Sequence, residues 1–245
     1  MQTTVKGLII REQTIGESDR LVTLLSDEFG LVKAFVRRAK NFKNQNLSST
    51  SLFVYGEFRL YKGRDAYVID GATPIEVFFA LRSDIERLAL AQYFAQLAYI
   101  FGSEEQPSHE QLRLLLNALH LLCKGTKNTA LIKAAVELRM CCLGGYMPDI
   151  TACYRCGTYE TDMMFFDVEE GCAYCKDCFR NNALEVPLSV IYAMRYICLT
   201  EDVSRIFSFH ISEANLTLLS QVCEKYAISR ADGRLGALEF YKSLI

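Results

Sequence analysis

Arg20-Leu-Val-Thr-Leu-Leu25, Asp27-Glu-Phe-Gly30 and Leu31-Val-Lys-Ala-Phe-Val36 read in order as a strand, a turn and a second strand. Both runs are rich in β-branched or aromatic side chains, and the Asp/Gly stretch between them reverses the chain. Upstream, Val5-Lys-Gly-Leu-Ile-Ile10 is another strand, joined by a polar turn from Gln13 to Asp19. Downstream, a polar loop from Arg37 to Thr50 leads into Ser51–Tyr61, with Val54, Phe58 and Leu60 at even positions and Phe53, Tyr55 and Tyr61 at odd ones. Gly56 inside that run predicts a bulge or barrel bend. Asp65–Asp70 is a fifth strand. Five short strands with regular turns fit a small closed barrel, for which the oligonucleotide-binding (OB) type is one common solution.

Past Thr73-Pro74 the apolar period becomes helical. Ser83-Asp-Ile-Glu86 and Ser108-His-Glu-Gln111 are capping-box patterns. They predict a central helix ending near Phe101 and a second one carrying Leu112, Leu115, Leu116, Leu119 and Leu122. A third runs from about Thr129 to Leu143, stopped by Gly144-Gly145. Pro187 suits the first turn of a further helix with Ile191, Met194, Ile197 and Cys198 on one face. A last long helix spans Glu213 to Ser229. The expected class is α+β: an N-terminal five-stranded OB-type barrel (1–80), then a helical bundle in two parts (81–150 and 183–245). A cysteine element at 151–182 separates the two parts.

That element contains Cys153-Tyr-Arg-Cys156-Gly157 and Cys172-Ala-Tyr-Cys175-Lys-Asp-Cys178. Two Cys-x-x-Cys turns about 15–20 residues apart are the ligand spacing of a structural zinc site. Gaps of 15 and 18 residues permit either Cys172/Cys175 or Cys175/Cys178 as the second pair. Polar Lys176-Asp177 suits an exposed turn and favours Cys153, Cys156, Cys175 and Cys178 around one Zn²⁺. Four thiolates leave no open position for water, so such a site serves architecture rather than catalysis. The intervening Met163–Phe166 is a candidate strand of a short hairpin.

The chain has 245 residues, 51% of them apolar, and a net charge of −2. Ten cysteines without a signal-peptide pattern imply a reducing compartment, the cytoplasm, where thiols are ligands or core residues. Charge is unevenly spread. Residues 31–64 hold eight basic side chains against one acidic, whereas residues 81–245 hold 16 against 20. A basic segment on an otherwise acidic chain points to a polyanion site on one face. Lys33, Arg37, Arg38, Lys40, Lys43, Lys62 and Arg64 are the candidate DNA-binding cations, interleaved with Phe35 and Phe42. Cations follow phosphates while aromatic faces stack bases; the competing reading is a solvated basic loop with Phe35, and Phe42 with it, in the barrel core.

No Gly-x-x-x-x-Gly-Lys phosphate loop and no Gly-x-Gly-x-x-Gly fingerprint occur. His109, His120 and His210 are scattered, and no nucleophile–base spacing stands out. A binding protein is therefore expected, not an enzyme. The alternatives from other classes are a zinc-bearing enzyme, or an RNA-binding zinc protein, with an OB-type substrate domain.

Ile15-Gly-Glu-Ser-Asp-Arg-Leu-Val-Thr-Leu-Leu-Ser26 followed by Gly30-Leu-Val-Lys-Ala-Phe-Val-Arg-Arg-Ala-Lys40 resembles the N-terminal signature of the RecO family of bacterial DNA repair proteins. The order of barrel, helices, four-cysteine element, helices and terminal Lys242-Ser243-Leu244 is similar as well. Two departures stand out: Val36 where the family usually has Gly, and Glu170-Gly171-Cys172 where it usually has two glycines. The resemblance implies a recombination mediator, cytoplasmic and nucleoid-associated, that binds single- and double-stranded DNA and anneals complementary strands. It also implies two protein partners: the tail of single-stranded DNA-binding protein (SSB), and RecR, with which RecA is loaded onto SSB-coated strands.

Overall fold

The computed structural model describes residues 2–16, 19–37, 46–63, 66–159, 161–179, 182–233 and 235–245. By compactness the chain divides into two units, Met1–Cys123 with Phe240–Ile245, and Lys124–Glu239.

In the first unit, β1 (Gln2–Ile15), β2 (Asp19–Ser26), β3 (Gly30–Val36), β4 (Val54–Lys62) and β5 (Tyr67–Val77) close into a barrel in the order β1-β2-β3-β5-β4. β4 returns to pair with β1, and the single parallel contact is between β3 and β5. Closure leaves the sheet no open edge. The alternation expected of strands is present: Val5, Ile9, Val22, Leu24, Val32, Ala34, Val36, Phe58, Leu60 and Ile69 form the interior. Register shifts at Tyr55/Gly56, so the predicted bend at Gly56 is real, and Pro74 lies opposite it in the ladder.

Several local expectations change. Gln13–Ile15 is strand rather than turn, laddered to Asp19–Leu21 with its side chains in water. β5 continues past Pro74 to Val77, because a bulge accommodates a residue that cannot donate to the ladder. A short helix, α1 (Asn46–Ser49), falls in the expected polar loop.

α2 (Ile85–Phe101) packs beside β1 and is buried nearly all round, as its composition required. Its N-cap is Asp84, which accepts from the amides of Glu86 and Arg87, while the Ser83 hydroxyl donates to the Ala80 carbonyl. A carboxylate therefore replaces the predicted serine cap. α3 (His109–Lys124) follows, with Gln111 spending its amide on the Phe101 carbonyl instead of closing a capping box.

Between these helices, residues 103–105 strap the start of β3. Leu31 donates to the Ser103 carbonyl, Glu105 donates to the Phe29 carbonyl, and Gly30 pairs with Glu104. Gly30 has φ +65°, and a Cβ there would sit 2.1 Å from the Ser103 oxygen. Only glycine fits this turn.

The second unit contains α4 (Thr129–Leu143), α5 (Leu188–Leu199) and α6 (Glu213–Arg230), with a three-stranded sheet in the order β7-β6-β8. Its strands are β6 (Met163–Asp167), β7 (Cys172–Tyr174) and β8 (Leu184–Pro187). Pro187 ends β8 and is the N-cap of α5, one position earlier than a first-turn proline. Leu216, Leu219, Cys223 and Tyr226 face inward from α6, as expected. An ion triad, buried at Lys133 and Glu137 and half-buried at Glu224, joins α4 to α6: Lys133 Nζ lies 2.8 Å from a carboxylate oxygen of Glu137 and 2.8 Å from one of Glu224. A short final helix, α7 (Gly236–Lys242), ends the chain.

Candidate nucleic-acid interface and metal centre

Along β3 the inward positions Val32, Ala34 and Val36 are buried, and Lys33 and Phe35 point to the other face. Phe35 is half-buried and outside the barrel interior, which decides against its being a core residue. Among the described residues, the β3–β5 ladder pairs Ala34 with Tyr67 and Phe35 with Val68. A cleft of about 470 Å³ opens beside that short contact. Leu21, Lys33, Phe35, Lys62, Tyr67 and Glu104 are among its lining residues. The wall therefore combines three aromatics, Phe29, Phe35 and Tyr67, with two cations, the pairing that suits stacked bases and a phosphate backbone.

The strap adds an opposing charge. Lys33 Nζ lies 2.6 Å from Glu104 Oε1, and that hydrogen bond raises the lysine above its ordinary pKa. Arg37 is exposed just after β3, and Lys62 is exposed at the end of β4. Of the other predicted cations, Arg38, Lys40, Lys43 and Arg64, with the aromatic Phe42, lie outside the described residues. The sequence reading missed Tyr67, Phe29, Glu104 and Glu105 in the cleft wall. Tyr67 was detectable as an aromatic at a strand start. The glutamates were not, because only the fit of Gly30 against Ser103 brings them there.

At the cysteine element, two tight turns face each other. Gly157 donates to the Cys153 carbonyl at 2.8 Å and takes φ +74°, while Cys178 and Phe179 both donate to the Cys175 carbonyl at 3.0 Å. Cys153 donates to the Thr158 carbonyl and Tyr154 to the Ala173 carbonyl, anchoring the first turn to β7. The ring of Phe179 stacks on that of Phe165 at 3.9 Å, anchoring the second to β6.

The sulfurs of Cys153, Cys156, Cys175 and Cys178 all lie within 4.8 Å of one another and could hold a metal ion. Cys172 is outside this group, held in β7 with its thiol toward the Glu170 carbonyl. Thr158 hydrogen bonding lowers Cys156 to about 6, whereas hydrogen bonds with Cys156 and Cys175 push Cys178 up to about 12. Four thiols this close cannot all ionise without a cation to offset their repulsion. A soft divalent metal supplies that cation, so the donor set fits one.

Among the described residues, no helix is long and apolar enough to cross a membrane. Family models place the chain by descent. The model described as Recombination protein O N terminal matches residues 1–78, and the one described as Recombination protein O C terminal matches residues 82–239. DNA repair protein RecO of Acetivibrio thermocellus is 32% identical over 240 residues, covering 97% of this chain and 95% of that one. The RecO proteins of Alkaliphilus metalliredigens (26% identical, all of both chains) and Symbiobacterium thermophilum (28% identical, 98% and 96%) align over comparable lengths. Two family models in tandem and relatives matched nearly end to end lead to one assignment: the chain belongs to the RecO family of DNA repair proteins.

Proposed function

We propose that this protein is a recombination mediator that binds single- and double-stranded DNA on its barrel and anneals complementary strands without consuming a nucleotide. The observation carrying this reading is the cleft beside the β3–β5 contact, where Phe35 and Tyr67 meet Lys33 and Lys62. The ring order with its one parallel pair supports an OB-type barrel, a fold whose strand faces and loops take oligonucleotides. Backbone contacts position a strand while leaving base edges free to pair, so energy for annealing comes from base pairing itself. By sequence, Arg37, Arg38, Lys40, Lys43 and Arg64 belong to the same set of phosphate-contacting cations.

In this reading the functional division is barrel 1–80, helical body 81–150 and 183–245, and metal element 151–182. The metal is one Zn²⁺, with Cys153, Cys156, Cys175 and Cys178 as ligands and a purely structural role. The helical body serves protein partners: the acidic, apolar tail of SSB, and RecR, with which the protein helps RecA onto SSB-coated strands. The site of action is the cytoplasm, at the nucleoid.

The test is annealing of complementary oligonucleotides, bare and SSB-coated, at low salt with no ATP present. Acceleration of both is expected. Failure of the pure, metal-loaded protein to speed either one overturns the reading.

A further inference from the structure

We propose that Cys142 and Cys198 form a modification site: a thiol pair that closes to a disulfide when the protein meets a hydroperoxide. Cys142 sits at the end of α4 and Cys198 at the end of α5, and both are free thiols. Their sulfurs lie 3.5 Å apart although 56 positions separate them in the chain, so tertiary packing alone makes the pair. Bond formation brings the sulfurs about 1.5 Å closer, to the usual disulfide length. Arg139, one turn before Cys142, donates to the Cys198 carbonyl and ties the two helix ends together.

The two cysteines are unequal. Cys142 is half-buried and Cys198 buried, so a small oxidant meets Cys142 first. The hydrogen bond between the two sulfurs, helped by the Arg139 charge, holds Cys142 below the ordinary thiol range. The same bond, together with burial, pushes Cys198 well above it. One thiol is thus suited to attack and its neighbour to resolve. Burial raises Cys141, Cys223, Cys123 and Cys172 instead, which leaves them poor nucleophiles.

The chemistry balances as follows. The Cys142 thiolate attacks the hydroperoxide, the O–O bond breaks, and the alkoxide leaves and takes a proton to become an alcohol. Cys142 is then a sulfenic acid. The Cys198 sulfur attacks it, the S–S bond forms, and the departing hydroxide takes the Cys198 proton to become water. Two thiols lose two electrons, and one hydroperoxide gains them. The loop so closed contains the whole cysteine element. Transient, redox-sensing disulfides are the kind found in reducing compartments.

The experiment uses the full chain as isolated, with its metal, titrated with tert-butyl hydroperoxide. After quenching, the protein is unfolded in chelator, alkylated, digested and mapped by mass spectrometry. At low oxidant doses we expect Cys142 and Cys198 to escape alkylation together and to appear in one cross-linked peptide, two hydrogens lighter and reversed by a thiol reductant. In Cys198→Ser, Cys142 should instead be trapped by a dione as the sulfenic acid; in Cys142→Ser, Cys198 should remain a thiol. The proposal is overturned if wild-type Cys142 and Cys198 still alkylate fully at doses that oxidise Cys153, Cys156, Cys175 or Cys178. A cross-link from Cys142 to any other cysteine overturns it equally. The wild-type map decides the matter even if a variant misfolds.

Discussion

Among the described residues, the barrel distributes its interior over ten buried side chains drawn from all five strands, whereas the cysteine element gathers four sulfurs within 4.8 Å. The barrel's chain is held by a closed ladder, so each interior side chain is one contributor among many. The element holds the short strands β6 and β7 and depends on two turns meeting at one point. Distributed packing degrades by increments, and a ligand cage fails as a unit. The two regions should therefore answer substitution differently.

The largest effect is expected at the cage. Structural zinc contributes about 10–16 kcal/mol of apparent folding free energy in small metal-dependent folds. Cys175→Ser should lose the metal and with it the ordered element, while Cys172→Ser should keep both. Metal stoichiometry and a thermal melt check this. Full metal content in Cys175→Ser would erase the contrast between the regions.

Next in size is the barrel interior. Phe58 is fully buried, and Phe58→Ala should cost about 3–5 kcal/mol while leaving metal content unchanged. A shifted urea midpoint at constant metal content is the expected result. Gly30→Ala probes the strap: its Cβ would meet the Ser103 oxygen, and the left-handed backbone alone costs about 1–3 kcal/mol in a non-glycine residue. Chemical denaturation of that variant should show the loss with the cysteine element intact.

Smaller effects belong to the cleft. Each phosphate neutralised on a single strand adds about −0.7 to the slope of log affinity against log salt. Replacing Lys33, Arg37 and Lys62 together by Ala should weaken binding to all sequences alike and flatten that slope. An unchanged slope would move the interface off this face. Smallest of all is Glu104→Gln. Its exposed pair with Lys33 is worth about 0.2–1 kcal/mol, so releasing the lysine should tighten single-strand binding by no more than severalfold. Weaker binding in that variant would mean that Glu104 orders the lysine instead of competing with DNA for it.

Legibility followed the range of the interactions. The strands from β1 to β4 and helices α2 to α6 announced themselves through apolar period, because burial of one face is a local constraint written every second or every third to fourth residue. The boundaries were misread where polar residues continue a ladder, as at Gln13–Ile15, or where a bulge accommodates proline, as at Pro74. Caps were misread where two acceptors compete: Asp84 and Ser83 are adjacent, and in the fold the Ser83 hydroxyl is taken by the Ala80 carbonyl, leaving the cap to the aspartate.

By itself the sequence determined an all-β start, a helical continuation, a four-cysteine element and a basic segment, since strand and helix periods, Cys-x-x-Cys turns and charge are local properties of the chain. Tertiary structure decided which cysteines gather, leaving Cys172 in a strand although its spacing was acceptable. It also turned Phe35 outward into a cleft, brought Glu104 onto Lys33 across 71 positions, buried Lys133 between two carboxylates, and set Cys142 against Cys198. The physical reason is common to all of these. Spacing limits which groups a turn can present together, but their final distances depend on how separate elements pack, and packing is an energy of the whole chain.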